Sequence, residues 1–69
     1  MRKITIDGCK CIIGRIYGPH SYWVVREPIS GVIVADPADT REKAIANARE
    51  TIARNGGKAG FDAAVKLLT

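Results

Sequence analysis

The chain has 69 residues, 46% of them hydrophobic, and a net charge of +4. This length allows a single domain, residues 1–69, because so short a chain buries only about 60% of the surface that its unfolded form exposes. The apolar content is too high for a disordered chain, and the longest uncharged apolar run, residues 29–35, is far shorter than the roughly 20 residues of a membrane span. No apolar segment typical of signal peptides follows Arg2 and Lys3, so we expect a cytoplasmic protein without a membrane partner.

The first predicted element is a β-hairpin centred on Asp7 and Gly8. An Asp-Gly pair between two alternating segments is typical of a two-residue turn, in which both central residues take a positive φ. Such a turn pairs Ile6 with Cys9, and the pairing continues outward residue by residue. One face of the hairpin then collects Ile4, Ile6, Cys9 and Cys11. The other face collects Lys3, Thr5, Lys10 and Ile12.

Two further strands are predicted, a third over residues 22–26 and a short fourth over residues 31–35. Alternation along the third strand places Trp23 and Val25 on one face of the sheet. Two orientations remain open, because in the opposite one Trp23 is exposed. If Trp23 and Val25 enter the core, the open face of the sheet presents Lys3, Thr5, Lys10, Ile12, Tyr22, Val24 and Arg26.

Two helices follow the strands. The main helix is predicted over residues 39–55, with Asp39 or Thr40 as its N-cap and a narrow apolar stripe along one side. A short amphipathic helix is predicted over residues 60–68. The expected fold is therefore α+β, with a small antiparallel sheet of about four strands (residues 1–35) packed on one main helix in the order ββββα, plus the short C-terminal helix.

Neither a catalytic site, a cofactor nor a metal site is expected, and the chain is not predicted to be an enzyme. His20 is the only histidine, and it lies in a Gly-Pro loop without converging polar groups. A disulfide between Cys9 and Cys11 would be strained, because one residue separates them on a strand. Zinc would need two further ligands. The expected state is two buried thiols in a reducing compartment.

Basic and aromatic residues in the first half of the chain are the best candidates for a binding surface. Residues 1–31 hold five basic residues against two acidic ones. Basic groups interleaved with aromatic rings can bind phosphates and bury bases or a partner's side chains, although a solvated sheet face has a similar composition. The candidate contact residues are Lys3, Lys10, Arg15, Tyr17, His20, Tyr22, Trp23 and Arg26.

The segment over residues 22–55 resembles the AP2-like, three-stranded DNA-binding domain at the N-terminus of phage-type tyrosine recombinases. The matching pattern is Tyr22-Trp23, Arg26, a reversal over residues 27–31, a strand, and a helix that opens at Thr40. The resemblance implies a sheet that enters the major groove and a helix that backs it. The turn-then-helix pattern is also similar to that of HicB-type antitoxins, which pack a helix on a small sheet.

These observations favour a non-enzymatic binding protein. In its size and its lack of a catalytic constellation, the chain is similar to small phage and mobile-element proteins, anti-CRISPR inhibitors among them, which act by occluding a surface. We expect a phage-type inhibitor that binds a protein complex handling nucleic acid, in the cytoplasm of the host cell. The alternative is a DNA-binding module that uses the basic face of its sheet. A homodimer, formed through strand edges or the C-terminal helix, is compatible with both.

Overall fold

The computed structural model describes residues 1–68 as an α+β fold. Three strands come first, β1 (Arg2–Ile6), β2 (Cys9–Ile16) and β3 (Tyr22–Arg26), followed by two helices, α1 (Arg41–Arg54) and α2 (Gly57–Leu68). The strands form one antiparallel sheet in the order β1-β2-β3. Thr69, the last residue of the predicted domain, lies outside the described residues. Within residues 1–68, neither helix combines the length and the apolar character needed to cross a bilayer.

The predicted hairpin between β1 and β2 is confirmed, together with its register. Asp7 and Gly8 take φ values of 49° and 82°, as a two-residue turn of this hand requires. Ile6 pairs with Cys9, and the pairing continues to Arg2 opposite Ile13. The short turn therefore sets which side chains share a face over the whole hairpin.

The predicted fourth strand, residues 31–35, is not among the strands of the structure. The chain does return along β3, with backbone hydrogen bonds from the Val34 amide to the Val25 carbonyl (2.9 Å) and from the Trp23 amide to the Ala38 carbonyl (2.7 Å). Between these two contacts β3 advances by two residues, whereas the returning segment advances by four. The two extra residues break the ladder into isolated bridges, and the sheet has three strands in place of about four.

Both helices differ from their predicted bounds. Helix α1 begins at Arg41, two residues after the predicted start, because Thr40 is the cap and its hydroxyl accepts the Lys43 amide at 3.2 Å. Helix α2 begins at Gly57, three residues before the predicted start. Gly56, with a φ of 95°, turns the chain directly from one helix into the next.

The hydrophobic core lies between α1 and one face of the sheet. Its buried cluster consists of Ile6, Cys9, Cys11, Ile13, Val25, Ala44, Ala48 and Ile52. The α1 members recur at every fourth residue, and two of them are alanines, so the helix backbone can lie close to the sheet. Trp23 packs against the same cluster, which selects the orientation with Trp23 and Val25 turned inward.

Val24 lies on the opposite face, and the expectation that it is exposed is wrong, because its exposure is 0%. Val24 is at the centre of β3, which has β2 along one edge and the returning segment along the other. Its cross-strand partner Gly14 has no side chain, and Met1 occupies that space. The open face is therefore less apolar than the sequence predicts.

Candidate functional site

An open cleft of about 600 Å³ lies at the end of the sheet where β1 begins and β2 ends. We call it the arginine cleft. It is lined by Met1, Arg2, Ile13, Gly14, Arg15, Tyr17, Trp23 and Arg41. Its volume is within the range of ligand-binding clefts, roughly 300–1,000 Å³.

Strand register brings two of the arginines together. Arg2 pairs with Ile13, and Arg15, two residues further along β2, pairs with Trp23. Alternate residues of a strand share a face, so Arg2 and Arg15 lie diagonally on the side of the sheet that α1 covers elsewhere. The backbone bridge between Trp23 and Ala38 then carries the chain past this end of the sheet, and Arg41 follows as the first residue of α1.

The positive charge of the cleft is not compensated locally. Across residues 1–68, the ion pairs join other basic residues to carboxylates, and Arg2, Arg15 and Arg41 take part in none of them. Among the described residues, no acidic side chain lines the cleft. The first turn of α1 carries Glu42 next to Arg41 in the sequence, and the Thr40 hydroxyl already accepts the Lys43 amide, so the helix N-terminus adds little to the charge of the three arginines. The site therefore attracts anions, most strongly those with several negative charges.

Two aromatic rings accompany Arg15. Its guanidinium carbon lies 5.4 Å from the centroid of the Tyr17 ring and 5.9 Å from that of Trp23, distances at which a cation is attracted to a ring face. Trp23 is half-buried against the core, and both its amide and its carbonyl bond to Ala38. Tyr17, in contrast, is 77% exposed. In the cleft, the Arg15 guanidinium therefore lies beside two rings, that of Trp23, which the core holds in place, and that of Tyr17, which is accessible to solvent.

The structure divides the eight predicted contact residues between two faces. Arg15, Tyr17 and Trp23 lie in the arginine cleft. Lys3, Lys10 and Tyr22 are exposed on the opposite face of the sheet, and His20 is exposed in the loop that joins β2 to β3. The guanidinium of Arg26 donates to the Gly31 carbonyl at 2.9 Å. Arg26 therefore supports a turn, which the alternating pattern of the strand does not reveal.

Two residues of the cleft, Arg2 and Arg41, were absent from the predicted set. Arg2 could have been found, because the hairpin register already places it next to Ile13, one step from Arg15 on the same face. Arg41 joins the cleft only through the bridge between Trp23 and Ala38. No local pattern in the sequence predicts that bridge.

The one buried carboxylate among residues 1–68 has a structural role. Glu27 is 5% exposed, and its carboxylate accepts the amides of Ile29 at 2.8 Å and Ser30 at 2.6 Å. Burial by itself raises the pKa of Glu27, but these amides and the Ser30 hydroxyl outweigh burial and hold the pKa below its ordinary value. The group is an ionised acceptor that closes the turn after β3.

The two cysteines are free and buried in the core cluster. Burial raises the pKa of both thiols, that of Cys11 to about 11. Near neutral pH they are therefore protonated and poor nucleophiles. Within residues 1–68, no three His, Cys, Asp or Glu side chains are grouped so as to hold a metal ion.

Comparison of the chain with protein-family models, with curated proteins and with solved structures found no match. The resemblances to the recombinase domain and to HicB-type antitoxins stay predictions.

Proposed function

We propose that this protein is a non-enzymatic nucleic-acid-binding module whose binding site is the arginine cleft. The observation that carries the proposal is a cleft lined by three arginines and two aromatic rings, in which no arginine is ion-paired to a carboxylate of residues 1–68. Guanidinium groups donate paired hydrogen bonds to phosphate oxygens, and aromatic rings stack with bases. The basic face of the sheet, where the alternative expectation located DNA binding, is the weaker candidate because Arg26 is engaged in its turn.

We expect the protein to bind labelled nucleic acid with a strong dependence on salt. Neutralising three phosphates predicts that affinity for a single strand falls about 20-fold between about 50 and about 200 mM salt. Arg15→Ala should weaken binding and lower the slope of log affinity against log salt by about one phosphate contact. Fluorescence anisotropy with single-stranded DNA, duplex DNA and RNA measures both quantities.

Arg54→Ala is the matched control for this experiment. Arg54 is exposed in the last turn of α1 and paired with Glu50, so the variant loses the same charge far from the cleft. It should bind almost as well as the unaltered protein. Equal losses in Arg15→Ala and Arg54→Ala would mean that only net charge matters, and an effect of Lys10→Ala larger than that of Arg15→Ala would move the site to the opposite face.

The second candidate function is occlusion of a protein partner, the mode of action of anti-CRISPR inhibitors. The observation that favours it is an apolar groove of about 180 Å³ between the returning segment and both helices. Three of the larger apolar side chains that line this groove are exposed: Val32, Ile33 and Leu68. Apolar patches of this kind often mark protein interfaces.

Under the occlusion candidate, adding the protein to a purified CRISPR effector complex should lower cleavage of its target DNA. Ile33→Asp, which places a charge at the groove, should relieve that inhibition. Ala46→Asp adds the same charge at an exposed position of α1 and should leave inhibition intact. Inhibition that is identical in all three proteins would contradict an interface at the groove.

A further inference from the structure

We infer that the arginine cleft takes single-stranded nucleic acid, with one unpaired base stacked on Tyr17. The inference rests on the proposed function and specifies its ligand. The site is concave, and its arginines and rings line this concavity at the end of the sheet. Reading the bases of a duplex requires an element that protrudes into a groove. A concave site lined by an aromatic ring instead accepts an unpaired base that has turned out of its stack.

Tyr17 provides an aromatic ring on which a base can stack. Tyr17 directly follows the last residue of β2, and its exposure of 77% leaves most of the ring open to solvent. The Arg15 guanidinium lies over the ring at 5.4 Å and also contacts Trp23, which the core holds in place. Tyr17 is thereby tethered through Arg15 to a rigid part of the fold. Within a duplex the base faces are covered by neighbouring bases, so away from its two ends only an unpaired base can stack on such a ring.

The two remaining arginines supply phosphate contacts in addition to that of Arg15, whose guanidinium can donate from its edge while its face lies on a ring. Arg2 comes from β1 and Arg41 from the start of α1, so they flank the site from two different elements. Neither is committed to an ion pair within residues 1–68. A base on Tyr17 and phosphates on the three arginines use the accessible ring and every charged side chain that lines the cleft, while Trp23 packs beneath Arg15. DNA and RNA share this chemistry, and the experiment separates them.

The test measures anisotropy with labelled oligonucleotides of about 12 residues. They are single-stranded DNA, single-stranded RNA of the same sequence, and a blunt duplex. The single strands should bind at least about 10-fold more tightly than the duplex. Tyr17→Ala should weaken single-strand binding about 10-fold, and Tyr17→Phe should restore it. The salt slope should stay the same in Tyr17→Ala, since no phosphate contact is lost.

Tyr22→Ala is the matched control, because the chain has two tyrosines and Tyr22 lies on the opposite face. It should bind like the unaltered protein. Equal or tighter binding of the duplex, or an unchanged affinity in Tyr17→Ala, would overturn the single-strand inference while the proposed function stands. No binding of any oligonucleotide at about 50 mM salt would overturn both. A preference between the DNA and RNA strands would identify which of the two is the ligand.

Discussion

Replacing Ile6 with alanine is expected to remove most of the free energy of unfolding. Ile6 is 1% exposed in the cluster between the sheet and α1. An Ile-to-Ala change at such a site costs about 2–5 kcal/mol, from lost transfer free energy and from the cavity left behind. A domain of this size rarely has more than about 3–5 kcal/mol to lose. The variant should therefore be largely unfolded or close to its unfolding midpoint in the absence of denaturant.

Urea unfolding followed by circular dichroism measures this loss, and Ile29→Ala provides the matched control. Ile29 is 74% exposed in the turn after β3, so the same chemical change should alter stability by less than about 0.5 kcal/mol. A midpoint for Ile6→Ala close to that of Ile29→Ala would show that α1 does not seal this face of the sheet in solution.

The second large effect is expected at Glu27. Glu27→Ala removes the acceptor for two amides that close the turn after β3. Hydrogen bonds to a charged group are among the stronger ones, and we expect a loss of about 2–3 kcal/mol in the free energy of unfolding. The turn also directs the returning segment along β3, since the Glu27 amide donates to the Val32 carbonyl at 2.9 Å. The variant should thus be less stable than Ile29→Ala in the same urea experiment.

The same carboxylate predicts a dependence of stability on pH. The pKa of Glu27 in the folded protein is held below its ordinary value, whereas in the unfolded chain it takes that ordinary value. The folded state therefore binds the proton less readily. The contribution of the Glu27 carboxylate to the free energy of unfolding is complete above the pKa of the unfolded state. It is lost as the pH falls through the lower pKa of the folded state. Glu27→Gln should flatten the acid limb of the stability profile, and an unchanged limb would exclude Glu27 as its cause.

The hairpin could be predicted in detail because its determinants are local. Asp7 and Gly8 allow one short turn, and a two-residue turn leaves a single register for β1 and β2. The face of the hairpin that enters the core follows from this register. The α+β class likewise follows from a change of apolar period from two to about 3.6 along the chain.

The returning segment and the cleft could not be predicted in this way, because both depend on contacts between distant residues. Pairing beside β3 is interrupted by two extra residues in the returning segment. This mismatch follows only from the hydrogen bonds that Val34 and Ala38 make with β3. The bridge between Trp23 and Ala38, three residues before Arg41, also brings Arg41 to the cleft beside Trp23. A pattern of alternating residues therefore identified Arg15, Tyr17 and Trp23 as candidates, but it also included Arg26, whose guanidinium is held by its own turn.

The position of the two thiols has a consequence for following the motions of this protein. Cys9 and Cys11 are the only cysteines, and both are buried in the core cluster, where α2 packs against their strand with Lys58 and Asp62 near Cys9. A thiol reagent at mildly alkaline pH can modify them only in molecules in which the core around β2 has opened. When reclosing is faster than modification, the observed rate reports the population of the opened form. The unaltered chain therefore carries its own probe for pulse-modification measurements of core opening, with or without nucleic acid in the cleft.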